Sequence, residues 1–348
     1  RRARQEEIAV TRAALWHARV GASERERDVG HWLIGDGRPQ FADQLGYRPP
    51  LRERLRSAIR SAGVSGYLIA LTLVTAALLV ATLWATRALD RGDIGWTATI
   101  ILGALAWLPL SDLALGLINH RSSVFFHATQ LPSLALRAGV PPQLRTLVVV
   151  PAMLTSIEGI DELADQIEVH YLANQDGETY FALVTDWSDA AQQQRSEDEL
   201  LLSLARERIR ALNRRYGDRF LLLHRERRFN PGEGVWMGWE RKRGKLTELG
   251  RWLRGSPDTS FIATEGRLPG QVKYVVTVDS DTVLPRESVR RLVGTISHPL
   301  NLAQYDPAEG RVTRGYGILQ PRVTPSLPKG DGSSLIQRVY STPRGLDP

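Results

Sequence analysis

No cysteine occurs in the 348 residues, which excludes disulfides, thiolate metal sites and cysteine nucleophiles together. Histidine is scarce too: there are seven, none paired at i and i+4, so a histidine-based zinc site is not expected. The sequence has no internal repeat and no low-complexity tract. It also carries no zinc-finger, helix-turn-helix or base-stacking signature. No initiator Met and no signal-peptide pattern accompany the opening Arg1-Arg2-Ala3-Arg4, and Thr342–Pro348 reads as loop. Both ends are therefore expected to be interior points of a longer protein. Negative charge falls short of positive, 38 Asp+Glu against 45 Lys+Arg, for a formal +7. Such an excess suits nucleic acid, anionic lipid or a phosphate-bearing substrate. No basic run is dense enough to favour nucleic acid, which is not an expected partner.

What the sequence does have is a pair of long apolar runs. Residues 1–62 are polar and helix-leaning. Val64 to Thr86 then carries no charged residue, and about 20 apolar residues at 1.5 Å rise span a bilayer's hydrocarbon core. A second run, from Ile94 to Ile118, holds Pro109 and Asp112. An Asp at a helix centre costs about 2.5–3.5 kcal/mol, but Asp112 sits in the last third, where water or headgroups reach it. Arg87 to Asp93 between the runs is neutral, whereas Arg52, Arg54, Arg56 and Arg60 precede the first and Arg121 follows the second. The positive-inside rule then predicts a transmembrane hairpin with both flanks in the cytoplasm.

From Thr146 onward, apolar runs alternate with helical periodicity. Strands are expected at Thr146–Val150 (ended by Pro151), Tyr180–Thr185 (ended by Asp186), Phe220–His224 and Val272–Val278. Helices are expected at Glu158–Glu168, Glu197–Arg215 and Glu240–Leu253. This alternation predicts an α/β fold with a mainly parallel, Rossmann-like sheet, whose ligands bind beyond the carboxyl ends of the strands. The expected domains are a cytoplasmic segment (1–62), the hairpin (63–119), a linker (120–143) and the α/β domain (144–348).

The strongest chemical signal is Val275-Val276-Thr277-Val278-Asp279-Ser280-Asp281-Thr282, an apolar strand delivering two carboxylates at i and i+2. A sugar nucleotide brings a diphosphate whose departure calls for a hard divalent cation. Mg²⁺ takes one or two carboxylates plus phosphate oxygens. A polar turn closing a strand would also use Asp and Ser; the position after an apolar strand favours the ligand role. Asp186, ending another strand, is placed to accept hydrogen bonds from a nucleoside, or is a turn Asp. Trp236 to Leu246 carries Arg241, Lys242, Arg243 and Lys245 into a helix, where charge and backbone N–H groups suit phosphate. Trp236 and Trp239 either support a sugar or pack the loop. Pro231-Gly232-Glu233-Gly234 is too short for a phosphate loop. Glu197, Asp198 and Glu199 suit the first turn of a helix and are given no chemistry.

Several stretches together carry a family resemblance. They are Val29–Ile34, Gly46–Arg54, Leu144–Pro151, His170–Asn174, Phe229–Gly234 running into Trp236–Leu246, Asp279–Thr282 and Gly315–Arg322. In them the chain resembles bacterial cyclic β-1,2-glucan synthases, inner-membrane enzymes whose glycosyltransferase domain is related to the processive cellulose-synthase-like enzymes.

The resemblance implies a cytoplasmic GT-A-type domain on the inner face of a bacterial inner membrane. It implies UDP-glucose as donor, Mg²⁺ or Mn²⁺ as cofactor, and a growing glucan as acceptor, joined with inversion and later cyclised. It assigns Asp279 and Asp281 to the metal and diphosphate, Asp186 to the nucleoside side and Lys242 to phosphate, with Lys245 a second candidate. The family's general base lies downstream of the Asp-x-Asp, so it is expected beyond Pro348, and the chain alone is expected not to polymerise. A processive synthase of another polysaccharide, or a non-catalytic membrane-anchored scaffold, would share much of this sequence pattern.

Overall fold

The computed structural model describes residues 7–321 except 48, 90–94, 126–130 and 269. Arg1 to Arg4, Arg48, Asp90, Arg91, Asp93 and Ile94 of the stretches read above lie outside the described residues, as does everything from Arg322 on. The chain divides into two compact units, Arg1–Leu131 and Pro132–Pro348.

In the first unit, helices α1 (Glu7–Val20), α2 (Val29–Leu33) and α3 (Arg38–Gln44) enclose a small core of Ala14, Ala18, Trp32 and Phe41. The Asp28 carboxylate accepts from the Gly30 amide at 2.7 Å and starts α2. Helix α4 (Leu51–Leu89) is broken at Gly63, whose φ of 53° is a conformation glycine takes without a Cβ penalty. Helix α5 (Trp96–Phe125) runs through Pro109.

Ser61–Leu89 and Trp96–Ser122, of 29 and 27 residues, are long and apolar enough to cross a membrane. They pack on each other, with Tyr67 Oη donating to Asn119 Oδ1 at 2.9 Å, while Leu68, Leu73, Trp84, Ile100 and Leu108 stay uncovered. Unlike core helices, each has only 6% of its apolar window buried within the chain.

The second unit is the expected α/β fold. Strands β1 (Thr146–Leu154), β2 (Thr179–Trp187) and β3 (Phe220–Arg225) run parallel. Two short strands, β4 (Arg228–Asn230) and β5 (Val235–Met237), form a separate hairpin. Strand β6 (Phe261–Glu265) joins β3 antiparallel, and β7 (Tyr274–Thr277) joins β1 parallel, giving the order β6-β3-β2-β1-β7. The antiparallel edge strand β6 was not legible as a strand; it is short and only partly covered.

Helices α6 (Ile157–Ala173), α7 (Asp198–Tyr216) and α9 (Ser288–Ile296) share one core with Val148, Val150, Phe181, Leu183 and Leu222. Helix α8 (Arg241–Leu253) shares the other with Leu147, Val149, Ala182, Val184 and Leu223. Because both faces are covered, every residue of β2 is buried and its middle, Tyr180 to Val184, reads as an unbroken apolar run. A fully buried side chain such as Phe181 or Ile209 contributes about 1.5–3 kcal/mol. A last hairpin, β8 (Gln304–Asp306) and β9 (Arg311–Arg314), follows.

Helix α6 runs on to Ala173 and β7 is shorter than expected, and three further differences from the sequence reading shape the site. Strand β1 continues through Pro151 to Leu154. Val149 O points toward β7, where it accepts the Val278 amide, so by alternation the nitrogen of Pro151 faces the same side. Ladder pairing with β7 stops at Val149, and the missing N–H breaks no strand bond. Strand β2 carries on through Asp186 because β3 supplies that carboxylate with a partner. Finally, Pro132 to Val140, in the expected linker, lies against the α/β unit. Leu134 N donates to Gly294 O at 3.0 Å, and Val140 bridges to Gly177.

Candidate functional site

A cleft of about 360 Å³ opens at the carboxyl ends of the parallel strands. Pro151, Ala152 and Met153 come from β1, and Asp186 and Trp187 from β2. Gly238, Arg241, Lys242 and Lys245 come from the start of α8, and Ser280 from the loop after β7. Three of the sequence-predicted residues thus line one cleft: Asp186, Lys242 and Lys245. Asp279 stands at its mouth, ion-paired with Lys242. Asp281 is exposed and does not line the cleft; its carboxylate accepts a 3.4 Å bond from Thr282 Oγ1.

The floor is a buried, charge-balanced network. Arg225 ends β3 directly beside Asp186, because the β2–β3 register pairs Thr185 with His224. Its Nε donates to Asp186 Oδ1 at 2.7 Å and its Nη2 to Oδ2 at 2.9 Å, a bidentate pair. Nη1 donates to Glu248 Oε1 at 3.2 Å and to Trp239 O at 3.1 Å, and Nη2 donates to Arg241 O at 3.1 Å. All five guanidinium N–H donors are thereby used.

Lys245 Nζ lies 3.1 Å from Asp186 Oδ2 and donates to Ala152 O, tying α8 to β1. Burial lowers the Lys245 pKa, with the Asp186 carboxylate opposing. Glu248 Oε2 accepts from Ser260 N and Oγ at 2.7 and 2.6 Å. Two cations and two carboxylates therefore cancel, all of them buried.

Close approach to this network requires glycine twice. A Cβ at Gly238 would come within 2.6 Å of the Asp186 carboxyl, and one at Gly244 within 1.9 Å of Trp239 O. Between them Glu240 and Arg241 have φ of 51° and 46°. For non-glycine residues the left-handed conformation costs about 1–2 kcal/mol each. The turn passes straight into α8, whose first N–H groups no side chain caps.

A second buried pair stiffens the loop after β2. Arg227 donates to Asp198 from Nη1 and Nη2 at 2.5 and 3.1 Å, and to Ser188 O and Gln193 O. Burial opposes the Asp198 charge, yet the bonds from Arg227 and the Arg195 amide hold its pKa below the usual value. Asp198, read as ornament for a helix dipole, is thus a structural anchor. His224 is pushed down to about 3 by burial, its Nδ1 2.8 Å from Thr185 Oγ1.

Sequence reading missed Arg225, Glu248, Gly238 and the Arg227–Asp198 pair. One signal was available: two apolar strands end in residues of opposite charge, Thr185-Asp186 and His224-Arg225. Trp236 packs on Phe229 with ring centroids 5.6 Å apart. Trp239 is 42% exposed and, with Phe229, Asn230 and Glu233, lines an adjoining pocket of about 460 Å³.

Among the described residues no group of three or more His, Asp or Glu stands ready to hold a metal. The donor set nevertheless fits a hard cation shared with a ligand. Asp279 and Asp281 offer oxygens only and both are solvent-accessible, and Mg²⁺ ordinarily takes one or two carboxylates and completes its shell from phosphate and water.

No protein-family model matches the chain. Over 338 residues it is 41% identical to the cyclic β-(1,2)-glucan synthase NdvB of Rhizobium meliloti (strain 1021). The match takes in 95% of this chain, which spans only 12% of that relative's length. The resemblance carried by the short motifs thus extends along nearly the whole chain.

Proposed function

Because this chain is homologous to one stretch of a cyclic β-(1,2)-glucan synthase, we propose that its α/β unit is the donor-binding part of a glycosyltransferase building β-1,2-glucan from UDP-glucose. One observation carries the reading. Three segments remote in sequence, Asp186, Lys242–Lys245 and Asp279–Ser280, converge on one cleft at the carboxyl edge of the sheet. Cation and carboxylate face each other at its mouth.

UDP-glucose lies with its nucleoside toward Asp186 and Trp187 and its diphosphate toward Lys242 and the uncapped N-terminus of α8. Asp186 already serves three donors, so it acts from a fixed position and at most one further lone pair meets the nucleoside. Lys242 is half exposed and paired only at the surface, an interaction worth about 0–1 kcal/mol, so a diphosphate displaces Asp279 from it at little cost. Asp279, so released, and Asp281 would hold Mg²⁺ or Mn²⁺. A divalent cation there supplies Lewis-acid neutralisation of the charge on the departing UDP. Transfer with inversion also needs a base for the acceptor hydroxyl, and that role is assigned to none of the cleft residues.

The helices Ser61–Leu89 and Trp96–Ser122 form a hairpin across the bacterial inner membrane, with the α/β unit on the cytoplasmic side where nucleotide sugars are made. Cyclisation belongs to the complete protein.

The test is glucan synthesis by the full-length protein from radiolabelled UDP-glucose with Mg²⁺. Asp281→Ala is expected to lower incorporation by roughly a hundredfold or more, the scale of losing electrostatic stabilisation of a leaving group. Unchanged incorporation would remove Asp281 from the mechanism.

A further inference from the structure

Arg225 does not itself line the cleft, yet it is the most heavily bonded side chain beneath it. Two of its five N–H donors are spent on backbone carbonyls, those of Trp239 and Arg241. These carbonyls bracket Glu240, so the guanidinium grips both ends of the left-handed turn at Glu240–Arg241. Lys242 is the next residue.

The turn has support of its own: Arg241 N donates to Gly238 O at 3.0 Å, and the exposed Arg241 guanidinium pairs with Asp189 and Glu233 at 2.9 and 3.0 Å. Glu240 makes no capping bond to α8. Its carboxylate pairs only with Arg243, at 2.8 Å on the surface. Neither turn residue is glycine, although the conformation favours glycine. The buried hold on the turn comes from below: Arg225, itself locked by Asp186 and Glu248, and the tight seat of Gly238 on the Asp186 carboxyl.

We infer that Arg225 is a positioning residue, whose guanidinium holds the left-handed Glu240–Arg241 turn against the Asp186 floor and so sets Lys242 at the mouth of the cleft. That Lys242 then meets a diphosphate rests on the reading under Proposed function; that Arg225 shapes the turn does not.

The experiment uses the full-length protein with Arg225→Lys. Lysine keeps the charge that balances Asp186 and Glu248 but has three donors in place of five, so it cannot hold both carbonyls and the bidentate carboxylate. Two readouts are taken. The first is native-state tryptic cleavage after Arg241, Lys242 and Arg243, followed by mass spectrometry. The second is KM and kcat with UDP-glucose.

Cleavage is expected to speed up and KM to rise, each roughly tenfold or more, with kcat changed far less. Adding Glu240→Gly is expected to restore most of both, because glycine takes the left-handed conformation unaided. A structural defect elsewhere in the core would not be repaired at this exposed turn. Should Arg225→Lys fail to fold, Glu240→Val, a β-branched residue at a surface position, is expected to reproduce both changes by straining the turn directly.

Unchanged cleavage and KM in Arg225→Lys, or losses that Glu240→Gly leaves in place, would overturn the inference. Faster cleavage rescued by Glu240→Gly, in a protein that does not use UDP-glucose, would uphold the positioning role and refute the donor assignment instead.

Discussion

The floor of the cleft and its mouth both carry opposed charges, but they are built differently. At the floor, Arg225 and Asp186 have side chains 0% and 6% exposed, and all five Arg225 donors are answered by fixed partners. At the mouth, Lys242 and Asp279 are each 54% exposed and, among the described residues, pair with one another. Buried ion pairs are costly to break because the survivor is left charged and dry. Exposed pairs exchange partners almost freely. A site that must be rigid before its ligand arrives, and must still yield contacts to it, uses the first kind beneath the second.

The most severe way to break this comparison is at the floor. Asp186→Ala leaves Arg225 and Lys245 without their shared carboxylate, and the α/β unit is expected to lose about 3–5 kcal/mol of stability in urea denaturation. A loss below about 1 kcal/mol would mean that the floor is wet.

A gentler test uses pH. His224, opposite Thr185 and next to Arg225, stays neutral when folded because burial holds its pKa near 3. Between the ordinary pKa of about 6.5 and that value, the unfolded chain binds a proton the folded one refuses. Stability contributed by the neutral ring is therefore complete above about pH 6.5 and falls as pH drops, by at most about 1.4 kcal/mol per pH unit. In His224→Gln the stability–pH curve should be shallower by that slope between pH 6 and 4. Parallel curves would show that His224 charges freely.

The mouth should give the smallest response in stability. Lys242→Ala is expected to shift unfolding by no more than about 0.5 kcal/mol, since only an exposed pair is lost.

The same division governs what the sequence made legible. The mouth is local: Asp279-Ser280-Asp281 and the Arg241–Lys245 run announce themselves by residue type and spacing. So does Asp186, at the end of an apolar strand. The floor is not local. Arg225 meets Asp186 only through the β2–β3 register, and Glu248 reaches Arg225 only because α8 lies across that strand end. Gly238 looks like any loop glycine until the Asp186 carboxyl fills the place its Cβ would take. Strand boundaries failed for a related reason. Pro151 and Asp186 are breakers by propensity, but tertiary partners make each harmless, the first because β7 has ended and the second because Arg225 stands beside it. The apolar hairpin was plain because each run is long and nearly free of charge.

Whether Lys242 and the two aspartates at the mouth meet a cation-bound diphosphate is decided by calorimetric titration of the full-length protein with UDP. Binding is expected to require Mg²⁺ or Mn²⁺ and to weaken roughly tenfold or more in Lys242→Ala, consistent with losing a charge-assisted contact to phosphate. UDP affinity that is indifferent both to divalent cations and to Lys242→Ala would contradict that contact.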